Sequence, residues 1–123
     1  MAMRLGNVVF DSADPHAAAA FYSELTGWPI VRTDGDWIDL QTESGAAFSI
    51  QLAPDHVKPQ WPDPTRPQQA HIDLIVDDMD TEHARALALG AMLLDDAPDH
   101  PTFRVFADLD GHPFCLTKAA NWG

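Results

Sequence analysis

The hydrophobic positions of this chain come in short blocks, and the blocks run through the same order twice. Residues 5–10 form an apolar run that suits a buried strand. Asp14 and Pro15 then predict a helix start, because a carboxylate accepts early backbone N–H groups and proline is harmless at the first helical position. The helix is expected over 16–26, with Ala17, Phe21 and Leu25 on one face and Gly27 closing it. Strands follow at 29–33, 37–42 and 46–52, separated by turn signals at 34–36 and 43–45.

Residues 53–69 break that rhythm. They carry five of the ten prolines together with Trp61, and proline disfavours both helix and central strand, so an extended connection is expected. The order then resumes with a strand over 70–76 and a helix over 81–89. Asp80 is the expected N-cap, Ala84, Leu87 and Ala88 the apolar stripe, and Gly90 the stop. Three more strands are expected at 91–95, 102–108 and 113–117, with a turn at Asp110-Gly111.

The two halves can be laid over each other. Asn7-Val8-Val9-Phe10 with Asp14 matches His71-Ile72-Asp73-Leu74 with Asp78, and Ser44-Gly45 with Phe48-Ser49-Ile50 matches Asp110-Gly111 with Phe114-Cys115-Leu116. A β-α-β-β-β unit stated twice is the simplest description. The expected class is α+β, as a single domain over 1–123 with modules at 1–52 and 70–119 joined by the connection 53–69. Each module alone is small for a stable core, so the two are expected to pack together.

Charge narrows the function classes. The formal net charge of -12 opposes binding to nucleic acid, which needs a surplus of Lys and Arg, and to anionic membranes. A neutral or cationic small molecule remains compatible. The single cysteine, Cys115, allows no intrachain disulfide and fits a reducing, cytoplasmic setting. No signal peptide is visible, and no stretch approaches the length of a membrane span. Phosphate loops, nucleophile elbows and CxxC pairs are lacking, and the acids around Gly111 suit turn formation.

The second half reads HIDLIVDDMDTEHARALALGA and then FADLDGHPFCL. This resembles the glyoxalase/bleomycin-resistance/dioxygenase group of the vicinal oxygen chelate superfamily, in its glyoxalase-like branch. The resemblance runs from Leu5 to Lys118, is looser in the first half, and includes Gln60-Trp61-Pro62-Asp63-Pro64. It implies two βαβββ modules forming a concave mixed sheet with helices outside, a small-molecule cavity, and often a homodimer. In metal-dependent relatives the ligands come from the first and last strands of each module, which places them here at Asn7, Ser49, His71 and Cys115. The glutamate usual on the last strand is missing from both modules. His71 and Cys115 are suitable zinc ligands by type, but two ligands and an amide make a weak site.

The expectation is therefore a metal-independent protein that binds and sequesters a small aromatic or cationic compound, with no cofactor beyond room for a weak divalent-metal site. Catalytic residues are not assigned. Asn7, Trp37, Gln51, Trp61, His71, Asp73, Cys115 and Thr117 are the candidate ligand-binding residues, because aromatic walls with a few polar groups characterise small-molecule sites. His71 and Asp73 share one strand face by alternation. Two alternatives stand beside this reading. One is a metal-dependent lyase, isomerase or dioxygenase acting through His71 on adjacent oxygens. The other is an interaction module whose cavity is filled by its own side chains.

Overall fold

A computed structural model describes residues 3–60, 63, 65 and 70–122, the last two by backbone alone. The chain divides into two compact units, Met1–His56 and Val57–Gly123.

In the first unit, β1 (Asn7–Ser12) leads into α1 (Pro15–Thr26), followed by β2 (Ile30–Asp34), β3 (Trp37–Gln41) and β4 (Ala47–Leu52). The sheet order is β1-β4-β3-β2, with β1 parallel to β4 and the other pairs antiparallel. The helix begins as the sequence suggests. Ser12 Oγ accepts the Asp14 N–H at 3.0 Å, and the Asp14 carboxylate accepts the Ala17 N–H at 3.2 Å. Gly27 closes the helix in the left-handed conformation (φ 80°), which costs a glycine little. The helix face that meets the sheet carries Ala18, Ala19, Phe21, Tyr22 and Leu25; Ala17 is exposed. Phe10, Tyr22 and Phe48 pack edge-on with ring centres 4.8–6.3 Å apart, over Ile38, Leu40 and Ile50.

The second unit repeats the plan with β5 (Ile72–Val76), α2 (Met79–Ala88), β6 (Met92–Asp95), β7 (Phe103–Ala107), β8 (Pro113–Lys118) and a short 3-10 turn (Ala119–Trp122). Its order is β5-β8-β7-β6, again with the first and last strands parallel. Phe106 and Phe114 stack at 5.5 Å in the core. The helix differs from expectation in two respects. Its cap is Asp78, whose carboxylate accepts from the Thr81 backbone and hydroxyl, while Asp80 lies in the first turn and pairs with Arg104. The buried stripe is Met79 and Ala86 with His83 half-buried between them, whereas Ala84, Leu87 and Ala88 are exposed. His83 holds the middle of the stripe by packing edge-on against Phe106 and hydrogen-bonding Arg104 at 2.8 Å. A polar residue on the core face rotates the apparent stripe by a fraction of a turn.

Each module is thus a four-stranded mixed sheet with a helix on one face. The register makes the repeat concrete, because Ser49 pairs with Val9 and Asp39, and Cys115 pairs with Asp73 and Val105. Among the described residues, no helix is long and apolar enough to cross a membrane.

Candidate functional site

Strand alternation sends one set of side chains towards the helix and the other to the helix-free face of each sheet. In the first unit that face carries Arg32, Asp39, Ser49 and Val9 in one row across the strands, and Asp34, Trp37, Gln51 and Asp11 in the next. Asn7 stands on the same face of β1, two residues before Val9.

Polar groups in these rows are committed to one another. Asn7 Nδ2 donates to Ser49 Oγ at 3.2 Å, and Ser49 Oγ donates to Asp39 Oδ1 at 2.5 Å. The same Oδ1 accepts Trp37 Nε1–H at 2.8 Å, while Arg32 Nη1 lies 3.6 Å from Oδ2. Burial pushes the Asp39 carboxyl up, but the Ser49 and Trp37 hydrogen bonds and the Arg32 charge together hold it below the ordinary carboxylate value. Ser49 is fully buried. Gln51 Nε2 donates to Asp11 Oδ1 at 2.7 Å beside Trp37, whose ring is half-exposed.

In the second unit the helix-free face carries Asp95, Val105, Cys115 and Asp73 in one row, and Phe103, Thr117 and Ile75 in the next. His71 immediately precedes β5, with Nε2 3.1 Å from Asp73 Oδ1. One ligating atom each from His71, Asp73 and Cys115 lies within 4.8 Å of the others. Cys115 is buried, and that burial, with the charge of Asp73 and a hydrogen bond to it, pushes the thiol up to about 12. At neutral pH the sulfur is therefore a protonated thiol.

The candidate residues thus separate into two sets. Asn7, Trp37 and Gln51 share the helix-free face of the first sheet, and His71, Asp73, Cys115 and Thr117 that of the second. Thr117 is almost wholly buried, and Trp61 lies outside the described residues. Sequence reasoning passed over Asp39, Arg32, Asp95 and His100. Asp39 was legible, because W-I-D in a strand puts Trp37 and Asp39 on one face. His100 was not, because its partners are fixed by the shape of the loop after β6.

The four positions to which the resemblance assigns metal ligands were tested for fit. A hard divalent ion needs free oxygen or imidazole donors. Here Ser49 Oγ is bound between Asn7 Nδ2 and Asp39, and Cys115 is a buried neutral thiol, while Asn7 is engaged only through its nitrogen and His71 is exposed. Ser49 and Cys115, the two last-strand positions, are therefore poor ligands for such an ion. Among the described residues, the second unit brings together a nitrogen, oxygen and sulfur group, and using it would require removing the proton from Cys115.

Comparison with known proteins agrees with this architecture. A model of the glyoxalase-like domain matches residues 7–117. No curated protein matches significantly. Among solved structures, the genomically encoded fosfomycin resistance protein FosX from Listeria monocytogenes is similar at 17% identity and TM-score 0.74, covering 97% of this chain and 95% of its own. A glyoxalase/bleomycin resistance protein/dioxygenase family enzyme from Burkholderia phytofirmans PsJN is similar at 16% identity and TM-score 0.75, covering 94% and 98%. The oxidase ChaP-H2 gives 20% identity and TM-score 0.68, covering 96% and 94%. At these identities the structural likeness establishes the fold.

Proposed function

The chain belongs to the glyoxalase-like domain family of the vicinal oxygen chelate superfamily, and from that premise we propose that it is a metal-independent small-molecule-binding protein that sequesters its ligand. The observation that carries this reading is the engagement of both last-strand positions by carboxylates. Ser49 donates to Asp39, and burial and the nearby Asp73 charge keep the Cys115 thiol protonated, so neither offers a ready ligand to a hard ion. What remains is a recognition surface on the helix-free face of each sheet. On the first, Trp37 supplies a half-exposed aromatic wall whose N–H is pinned, with Asn7 and Gln51 as exposed polar groups; on the second, taken by itself, His71 and Asp73 supply exposed polar groups. The acidic charge of the chain favours a flat neutral or cationic compound over an anion. A homodimer is the assembly we propose by family likeness.

One observation favours a second reading, a metal-dependent lyase, isomerase or dioxygenase working through His71. This is the clustering of His71, Asp73 and Cys115 within 4.8 Å. The experiment that tests the first reading is a screen of planar aromatic and cationic compounds against chelator-treated protein by thermal unfolding, repeated on Trp37→Ala. Binding without metal that weakens in Trp37→Ala is the expected result. Binding that appears only after a divalent ion is restored would replace it with the second reading.

A further inference from the structure

The row that holds Trp37 in the first module holds Phe103 in the second, since Trp37 pairs with Gln51 and Phe103 with the corresponding Thr117. Phe103 is already covered. The His100 ring lies parallel to it, with centres 4.2 Å apart and planes 12° from each other. His100 reaches this position from the loop 96–102 between β6 and β7, and its side chain is 19% exposed.

Two acceptors hold the ring there. Nδ1 lies 3.1 Å from the Phe103 carbonyl oxygen, and Nε2 lies 3.0 Å from Asp95 Oδ1. The second approach is off the line of the N–H, so it is an ion-pair contact rather than an aligned hydrogen bond. Asp95 is itself fixed by the Ala97 N–H at 2.9 Å, and the acids facing the ring are Asp95 and, at 3.9 Å, the exposed Asp99. A neutral imidazole carries one N–H and would turn a lone pair towards one of these acceptors, whereas the imidazolium suits both.

We propose that His100 is a built-in occupant of a planar-cation position on Phe103, seated there as the imidazolium and released when the ring loses its proton. This rests on the ligand-binding reading above and names the class of compound that takes the position once it is vacated: a flat aromatic ring bearing positive charge, stacked on Phe103 and paired with Asp95. The sign follows from the contacts. Burial lowers the pKa of His100, but the Phe103 carbonyl and Asp95 outweigh it and hold it above the ordinary histidine value. The closed form therefore persists from acid pH up to that raised value and is lost above it.

The test uses the full chain and N-methylquinolinium as the probe. The wild-type protein is expected to bind the probe more tightly at pH 9 than at pH 6. His100→Ala is expected to bind it on the order of threefold to tenfold more tightly than wild type at pH 6, as one exchanged aromatic stack implies, with little pH dependence. Adding Asp95→Asn to His100→Ala should remove most of that gain. In the wild-type NMR spectrum at pH 6 the His100 ring protons should sit upfield of those of a solvent-exposed histidine at the same pH, from stacking on Phe103, and approach that reference as the ring deprotonates. Ring protons that keep the same upfield offset from that reference through pH 9, or probe affinity unmoved by both pH and His100→Ala, would overturn the proposal. Neither result touches the ligand-binding reading, which stands or falls on Trp37→Ala in the other module. The wild-type arms need no variant to fold.

Discussion

Asp39→Ala is the perturbation whose consequences can be worked furthest from the coordinates. The substitution removes the shared acceptor of Ser49 and Trp37. Ser49 is fully buried, so its hydroxyl cannot turn to water, and a stranded buried donor costs about 1–3 kcal/mol. The Trp37 N–H is half-buried and recovers part of its loss from solvent, leaving about 0.5–1 kcal/mol. Arg32 is 60% exposed and adds close to nothing. The expected destabilisation is about 3 kcal/mol, or on the order of 10 °C in Tm for a chain of this length. Asp39→Asn keeps an acceptor oxygen and should cost about 1 kcal/mol.

Urea unfolding of wild type, Asp39→Ala, Ser49→Ala and the double variant closes a cycle that should return a coupling of about 1–2 kcal/mol. Additivity within about 0.3 kcal/mol would refute the reasoning, because it would mean that the Ser49 hydroxyl does not depend on Asp39. The same carboxylate gives a pH signature. Its folded value lies below the ordinary one, so its contribution is fully present above the unfolded value of about 3.8 and is lost as pH falls through the lowered one. Asp39→Asn should accordingly lose less stability than wild type does below pH 4.

Three further outcomes follow from the same geometry. Cys115 should resist thiol reagents at pH 8, reacting at least a hundredfold more slowly than an open thiol, by the order of magnitude its raised value implies. A native-state rate matching that in denaturant would show an accessible thiolate. Gly111→Ala should cost about 2 kcal/mol or more, because residue 111 has φ 83° and a Cβ there would meet Lys58 Cβ at 2.9 Å; unchanged urea unfolding would remove that contact. Asp78→Ala should cost about 1 kcal/mol and Asp80→Ala less than half of that, since only the first caps α2; the reverse order would restore the cap expected from sequence.

Local rules carried most of the fold. Asp14-Pro15 and Gly27 bracket α1, and the spacing of Phe48-Ser49-Ile50 against Phe114-Cys115-Leu116 gives the module repeat before any coordinates. The misread residues are those whose partners are distant in sequence. His83 counts as polar until Arg104 and Phe106 are seen beside it, so the α2 stripe was displaced. Asp78 and Asp80 are equivalent as caps until Arg104 claims the second. In the site, alternation put His71 beside Asp73, but it gave no sign that Asp39 and Asp73 reach the last-strand positions from opposite neighbours, β3 in one module and β5 in the other. That depends on sheet order, which a repeat in the sequence does not fix.

The proposed metal-independence rests on the engagement of Ser49 by Asp39 and on the buried, protonated Cys115 thiol, and thermal unfolding puts it to the test. Chelator-treated protein is heated with magnesium, manganese, iron(II), cobalt, nickel or zinc in turn, beside His71→Ala. An ion bound at a hundred times its Kd would stabilise the fold by about 2.7 kcal/mol, a shift of several degrees. No ion is expected to move the midpoint in either protein. A specific rise with one ion that disappears in His71→Ala would contradict it and make the cluster of His71, Asp73 and Cys115 a metal site.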